Sequence, residues 1–335
     1  YADHNYHTRL VAGGSNAEDV ALAGSFFVSI GDRLGKSESG DIELLKVCTV
    51  GHNLKKCAVC SSSSLSLDDG TGYHIDTRKD ECNCHTDAGN IKEINQDSLS
   101  VKVVNTPKGK IAFAIVCDGM GGLEHGEVAS KEVVMAFNNW FQREFAKIAA
   151  TDTCTAELIQ TQWEELIDRM NDRLAEYAKQ KDMMMGTTVS ALLVYQGKYY
   201  VCHVGDSRIY QIQKSVVQLT VDHTLVAKEV EMGKLTKEAA LVDSRRNILL
   251  QCVGASASVE PQFEVGELLG DTVFLLCSDG FVHTISEKEL WNAFKPAGIA
   301  AKEKLTKECE KMVNLVMKRG ERDNVTVIAL AVKQV

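Results

Sequence analysis

Apolar residues along this chain follow two rhythms. Over residues 97–104, 111–117, 188–195, 199–204, 209–213, 272–277 and 325–332 they alternate with polar residues or form short unbroken runs, as strands do. Over 127–149, 156–181, 223–232, 286–294 and 300–319 they return every three or four positions, as on a helix. Two long helices in succession, then closely spaced strands, do not alternate as a doubly wound parallel sheet requires. The order predicts an α+β sandwich of sheets covered by helices, without internal repeats. Residues 1–85 break the rhythm: rich in Ser, Gly, Asp and Cys, with the tract Ser61-Ser62-Ser63-Ser64, they read as an irregular Cys/Ser-rich N-terminal extension to a domain spanning 86–335.

Composition narrows the partners. With 335 residues, 44% of them hydrophobic, the chain can bury a substantial core. Its formal net charge is −9, and its basic residues gather only in short pairs such as Lys55-Lys56, so nucleic acid and anionic membrane are not expected partners. No apolar run approaches the length of a membrane span, and none resembles the apolar segment of a signal peptide. Eleven cysteines is an odd number, and Cys117, Cys202 and Cys277 sit within apolar strand-like runs, where thiols pack as small hydrophobes. A reducing, cytoplasmic setting and a monomer are expected.

The chemistry collects where strands end. The run Ile111 to Val116 leads to Asp118, and three glycines stand among the next four residues, in DGMGG. HVGDSRIY around Asp206 and FLLCSDGF around Asp279 repeat the pattern of an apolar strand closing on an aspartate, while Asp97 and Asp323 each open a strand. Taken singly, Asp-Gly and Asp-Asn pairs are ordinary turn formers. Five aspartates at strand edges, however, can converge at one end of a sheet layer, where their mutual repulsion calls for a cation. Oxygen donors favour a hard ion such as magnesium or manganese, and no His or Cys is placed in these motifs to argue for zinc instead.

In chain order the motifs are CHTDAGNIKEINQD, DGMGG, GTT, GDSR, DHT, SDG and RDNVT. This series resembles the metal-dependent protein serine/threonine phosphatases of type 2C in their compact bacterial form, over residues 86–335. The resemblance implies a sandwich of two antiparallel β-sheets flanked by α-helices, with a binuclear Mn2+ or Mg2+ centre at one end. It implies that Asp118 bridges the two ions, that Asp279 and Asp323 complete the first, and that the Gly119 carbonyl binds the second. Asp97 then acts through water, and Asp206 shares a third, weaker ion with Asp279. A water between two such ions attacks phosphorus in line, so no protein nucleophile is needed. Asp118 and Asp279 thus stand among the catalytic residues, and the substrates implied are phosphoproteins made by a serine/threonine kinase. A phosphatase-like binding module without turnover and a small-molecule phosphoesterase are the alternatives on the same fold.

Two positions depart from the family pattern. Lys92 stands where an arginine usually grips the substrate phosphate, supplying charge without the planar fork. Leu123 follows DGMGG where compact members often carry a histidine able to protonate the leaving oxygen; His125, two residues on, is the nearest substitute. Thr224 to Arg246 matches the family's flap beside the site. Ahead of the domain, Cys57 and Cys60 have the spacing of a zinc knuckle, but Cys82 and Cys84 are too close together to complete a regular ribbon. A structural zinc on these four is therefore the weaker expectation, beside cysteines that simply share a strand face.

Overall fold

A computed structural model describes residues 42–49, 60–68, 72–78, 86–87, 94–106, 109–120, 125–299 and 302–334. The described residues begin with four strands, β1 (Ile42–Thr49), β2 (Cys60–Asp68), β3 (Gly72–Arg78) and β4 (Thr86–Asp87). A long hairpin follows, β5 (Asp97–Thr106) and β6 (Gly109–Met120), and then α1 (Gly126–Trp140), which continues through a π-helical turn at Phe141–Phe145 into α2 (Ala146–Thr151). Next come α3 (Ala156–Lys181), β7 (Gly186–Thr187), β8 (Val189–Tyr195), β9 (Lys198–Val204), β10 (Arg208–Ile212) and β11 (Val216–Gln218). The short helices α4 (Leu225–Glu231) and α5 (Lys237–Val242) precede β12 (Gln262–Glu267) and β13 (Thr272–Cys277). The described chain closes with α6 (Asp279–Val282), α7 (Glu287–Phe294), α8 (Lys302–Lys318) and β14 (Val325–Gln334).

These strands form two sheets, ordered β1-β14-β13-β10-β11 and β12-β9-β8-β6-β5-β2-β3. All pairings are antiparallel except β2 with β5, which run parallel. Period-two alternation builds the layers. On β6, Ala112, Ala114 and Val116 face the other sheet, meeting Phe274, Leu276, Ile328 and Leu330. The intervening Ile111, Phe113, Ile115 and Cys117 face α1 and α3, where Phe137, Phe141, Trp140 and Trp163 cover them. On the far side, Leu275, Val327 and Ala329 pack beneath Leu290, Leu305 and Val313 of α7 and α8. The result is the four-layer arrangement expected of the sequence, two sheets between helices.

Local sequence sets the helix ends. Thr155 caps α3 by accepting from the Leu158 N–H, and α3 then buries Ile159, Trp163, Ile167, Met170 and Leu174 at helical spacing. Ser286 and Glu289 form a reciprocal capping box on α7. Strands β1 to β3 fall in the stretch whose sequence shows little periodicity, and they extend the outer edges of the two sheets. The edge strand β12 and the short helices α5 and α6 also escape a reading by pattern, being short or polar.

Candidate active site

Strand register brings the first two aspartates together. In the β5–β6 ladder Asp97 lies opposite Asp118, so two carboxylates share the inner face at one mouth of the sandwich. From the other sheet, Thr326 of β14 donates to Asp97 Oδ2 at 2.6 Å, bridging the two layers. Asp279 opens α6 directly after β13, and Asp323 lies just before β14, the neighbouring strand. Asp206 follows β9 in the turn to β10. The five predicted aspartates therefore come from both sheets and meet at one end.

The glycines of the two Asp-Gly motifs have a packing reason. A Cβ at Gly119 would stand 2.1 Å from the Gly126 carbonyl oxygen, and one at Gly280 would stand 2.3 Å from that of Asn324. Each glycine thus lets a second backbone segment close onto the strand end that carries the aspartate. For Gly119 that segment is the start of α1; for Gly280 it is the residue following Asp323.

A layer of hydroxyls separates the carboxylates from the apolar interior. Thr188 Oγ1 accepts from the Asp118 N–H at 2.9 Å and lies 2.8 Å from Ser207 Oγ. Thr187 Oγ1 donates to the Asp118 carbonyl at 2.9 Å. Ser278 Oγ accepts from the Thr326 N–H at 3.0 Å. Asn324 Oδ1 accepts from the Gln96 N–H at 2.9 Å, tying the approach to Asp97 to the chain beside Asp323. His203, fully buried in this layer, lies 3.0 Å from Ser190 Oγ through Nδ1 and 3.0 Å from the Gly205 carbonyl through Nε2. A carbonyl can only accept, so Nε2 carries a proton. Burial, reinforced by the neighbouring His223, brings its pKa down to about 3.

Electrostatically the cluster is under-compensated. Burial, opposed by the Thr326 hydrogen bond and aided by Asp279 and Asp323, raises the Asp97 pKa to about 7. Asp118 is pushed well above the usual carboxylate range by burial and then by each of the other four aspartates. Burial and Asp279 raise Asp206 in the same direction. Asp279 is raised by burial and Asp323, opposed by His283 and by a hydrogen bond with Asp118. Nearby Arg208 is already engaged, its Nη2 standing 2.6 Å from Asp222.

The donor set fits a hard divalent cation. Asp97 Oδ1 and Asp279 Oδ1 are buried without a hydrogen-bond partner, which is costly unless something charged binds there. Among the described residues no three His, Cys, Asp or Glu side chains stand together in a metal-ligand arrangement.

The other sequence expectations divide. Gly119 lies beside Asp118, its N–H bonded to the Gln96 carbonyl at 3.1 Å. Lys92 and Leu123 lie outside the described residues, as do Cys57, Cys82 and Cys84; Cys60 is the first residue of β2. His125 precedes α1 with φ 92°, and its N–H donates to Glu127 Oε2 at 3.1 Å. Thr224 to Arg246 comprises α4 and α5, closed at its base by Leu225 N–H to the Ile248 carbonyl, 2.9 Å, and Leu250 N–H to the His223 carbonyl, 2.8 Å. Sequence reading missed Thr188, Thr326 and His283. His283 sits one helical turn beyond Asp279, its Nε2 3.7 Å from Asp279 Oδ2 and its Nδ1 3.8 Å from Glu321 Oε2. The i, i+4 spacing from Asp279 was the available signal for His283.

The model of protein phosphatase 2C matches residues 88–320. The chain belongs to the protein phosphatase 2C family. Its relatives include the serine/threonine phosphatase stp of Listeria innocua, 33% identical over 246 residues that cover 72% of this chain and 92% of that protein. Among solved structures, the serine/threonine phosphatase Stp1 from Staphylococcus aureus superposes with a TM-score of 0.64 at 28% identity, covering 74% of this chain and 92% of that one. The catalytic domain of the serine/threonine protein phosphatase PstP, solved with two manganese ions, does so with a TM-score of 0.58 at 25% identity, covering 75% and 96%. Metal dependence is a property of this family, and the oxygen donors gathered at the sandwich mouth suit it. No described helix is long and apolar enough to cross a membrane.

Proposed function

We propose that this chain, a protein serine/threonine phosphatase by family, hydrolyses phosphoserine and phosphothreonine in proteins at the cluster of Asp97, Asp118, Asp206, Asp279 and Asp323. One observation carries the assignment of the site: two buried carboxylate oxygens, Asp97 Oδ1 and Asp279 Oδ1, lack partners inside a group of five like-charged side chains. Two Mn2+ or Mg2+ ions, with a third held more weakly, would offset that charge. Asp118 is the candidate bridge by its match to the family motif, and the other four aspartates all lie close enough to raise its proton affinity. Asp279 and Asp323 would complete one site, the Gly119 carbonyl and, through water, Asp97 the second, and Asp206 with Asp279 the third. Divalent cations bound there supply an acidified water and positive charge for the phosphoryl oxygens.

The chain's own groups then position and orient. Thr187 and Thr188 fix the Asp118 backbone from both sides, and Thr326 fixes the Asp97 carboxylate. Lys92 serves as the cation that grips substrate phosphate, a point charge in place of the usual fork. Residues 86–335 act as the phosphatase domain and 1–85 as an extension to it, a division supported by a family match that starts at residue 88. We place the protein in the cytoplasm as a monomer opposing a serine/threonine kinase; free cysteines at Cys117, Cys202 and Cys277 suit a reducing compartment. The test is manganese-dependent release of phosphate from a phosphothreonine peptide, compared with an aryl phosphate. Turnover of the aryl phosphate alone would leave a small-molecule phosphoesterase, and turnover of neither a binding module. Elemental analysis of the same sample reads the metals, and one zinc per chain would assign the Cys57, Cys60, Cys82 and Cys84 group to it.

A further inference from the structure

Met120, two residues along β6 from Asp118, lines a surface groove of about 500 Å3. Met120 stands on one wall, and the loop from Ala255 to Ser258 forms another. Leu250, at the base of the α4–α5 excursion, and Met184 form its rim. Both are far more open than buried chains of their type, Met184 being 78% exposed and Leu250 51%. Their neighbours differ: Met185 is core, so Met184 is turned outward in a Met-Met-Met run whose last member anchors it. The loop wall is fixed from beneath. Asn171 of α3 donates through Nδ2 to the Ser256 carbonyl at 3.1 Å and accepts from the Gly254 N–H at 2.8 Å, while Ser256 Oγ accepts from the Cys252 N–H at 2.9 Å. Strand β7 joins the two walls, since Met120 pairs with Gly186 and Thr187 bridges to Val253.

We propose that this groove receives an apolar side chain of the phosphoprotein substrate, one to three residues from the phosphorylated one. The inference rests on the phosphoprotein reading given above. Distance supports it, because two residues of strand separate Met120 from Asp118, about 7 Å, the same advance that an extended substrate makes in two residues. Chemistry supports it as well, because none of the lining side chains carries a charge and the rim is methionine and leucine. Size favours a peptide over a second subunit: ten residues line the groove, where a stable interface takes roughly 20–30 residues a side. Unbranched methionine adapts to different apolar shapes, so the preference expected is for apolar over charged residues, without sharp choice among Leu, Met and Phe.

The experiment uses the full chain with manganese and a phosphothreonine peptide set in which Leu or Asp occupies each of the three positions on either side. The readout is the ratio of kcat/KM for the Leu peptide over the Asp peptide at each position. Wild-type protein is expected to show a ratio of about tenfold at one or two positions, carried by KM, in line with apolar pocket discrimination. Met184→Asp and Leu250→Asp, both at exposed positions that folding tolerates, should bring that ratio to about one. Leu269→Asp, in the turn between β12 and β13 and outside the groove lining, should leave it at the wild-type value. A ratio near one at every position in wild type, or a ratio that survives both rim substitutions, would overturn the groove assignment while peptide turnover kept the phosphatase reading. Aryl phosphate turnover without any peptide turnover would instead remove the phosphoprotein reading, and the groove with it.

Discussion

Thr326 and Asp97 are 229 positions apart in sequence, yet the Thr326 hydroxyl donates to the Asp97 carboxylate at 2.6 Å across the mouth of the sandwich. The bond links one sheet to the other at the point where carboxylates crowd. Replacing Thr326 with Val removes the donor to Asp97 Oδ2, beside an Oδ1 that already lacks a partner. Unfolding by urea in the absence of metal should show a loss of about 1–3 kcal/mol. Thr326→Ser keeps a hydroxyl and should recover most of it; equal losses in the two variants would mean that the methyl group, and not the bond, matters.

Asp118 and Asp279 are expected to be the least replaceable residues. Asp118→Asn or Asp279→Asn should reduce manganese-dependent phosphatase activity by about 100-fold or more, because an amide brings no charge to offset the ions. Asp206→Asn should reduce activity less and keep the tighter metal binding measured by titration calorimetry. Tight manganese sites lost in Asp206→Asn but kept in Asp279→Asn would reverse the assignment.

Asp97 and His203 make opposite contributions to pH dependence. The Asp97 pKa is raised to about 7, so its contribution is complete below the unfolded value near 3.8 and is lost as pH rises through 7. In metal-free protein, Asp97→Asn escapes that loss and should gain stability relative to wild type between pH 4 and 7.5, by up to about 4 kcal/mol. The His203 pKa is lowered to about 3, so its contribution is present above 6.5 and is lost as pH falls through 3. His203→Gln should therefore flatten the acid limb of the stability curve. Denaturant midpoints across this range check both, and parallel curves for wild type and the two variants would contradict them.

Gly119→Ala places a methyl carbon 2.1 Å from the Gly126 carbonyl oxygen, a clash with backbone that cannot rotate away. The start of α1 must shift, at a cost of about 1–3 kcal/mol or more. Activity should fall further than stability alone explains, since the strand end carrying Asp118 moves with it. A melting temperature and activity both at the wild-type level would show that α1 does not hold this strand end.

Sequence by itself determined the layers. Apolar alternation in 97–104, 111–117, 272–277 and 325–332 places a strand's two faces against a sheet and against helices, and the structure puts them there. The helix of residues 156–181 was legible to its ends because a threonine cap and helical apolar spacing are local signals. The aspartates were legible too, as strand-edge carboxylates in a family order. Tertiary structure decided the rest. That Thr326 serves Asp97, that Thr188 holds the Asp118 backbone and that His283 lies between Asp279 and Glu321 depend on strand register and on the approach of two sheets. No local pattern encodes a contact between residues so far apart in the chain. The glycine after Asp118 shows the same division: a sequence reads it as freedom to turn, and only the fold reveals that α1 occupies the space where a side chain would be.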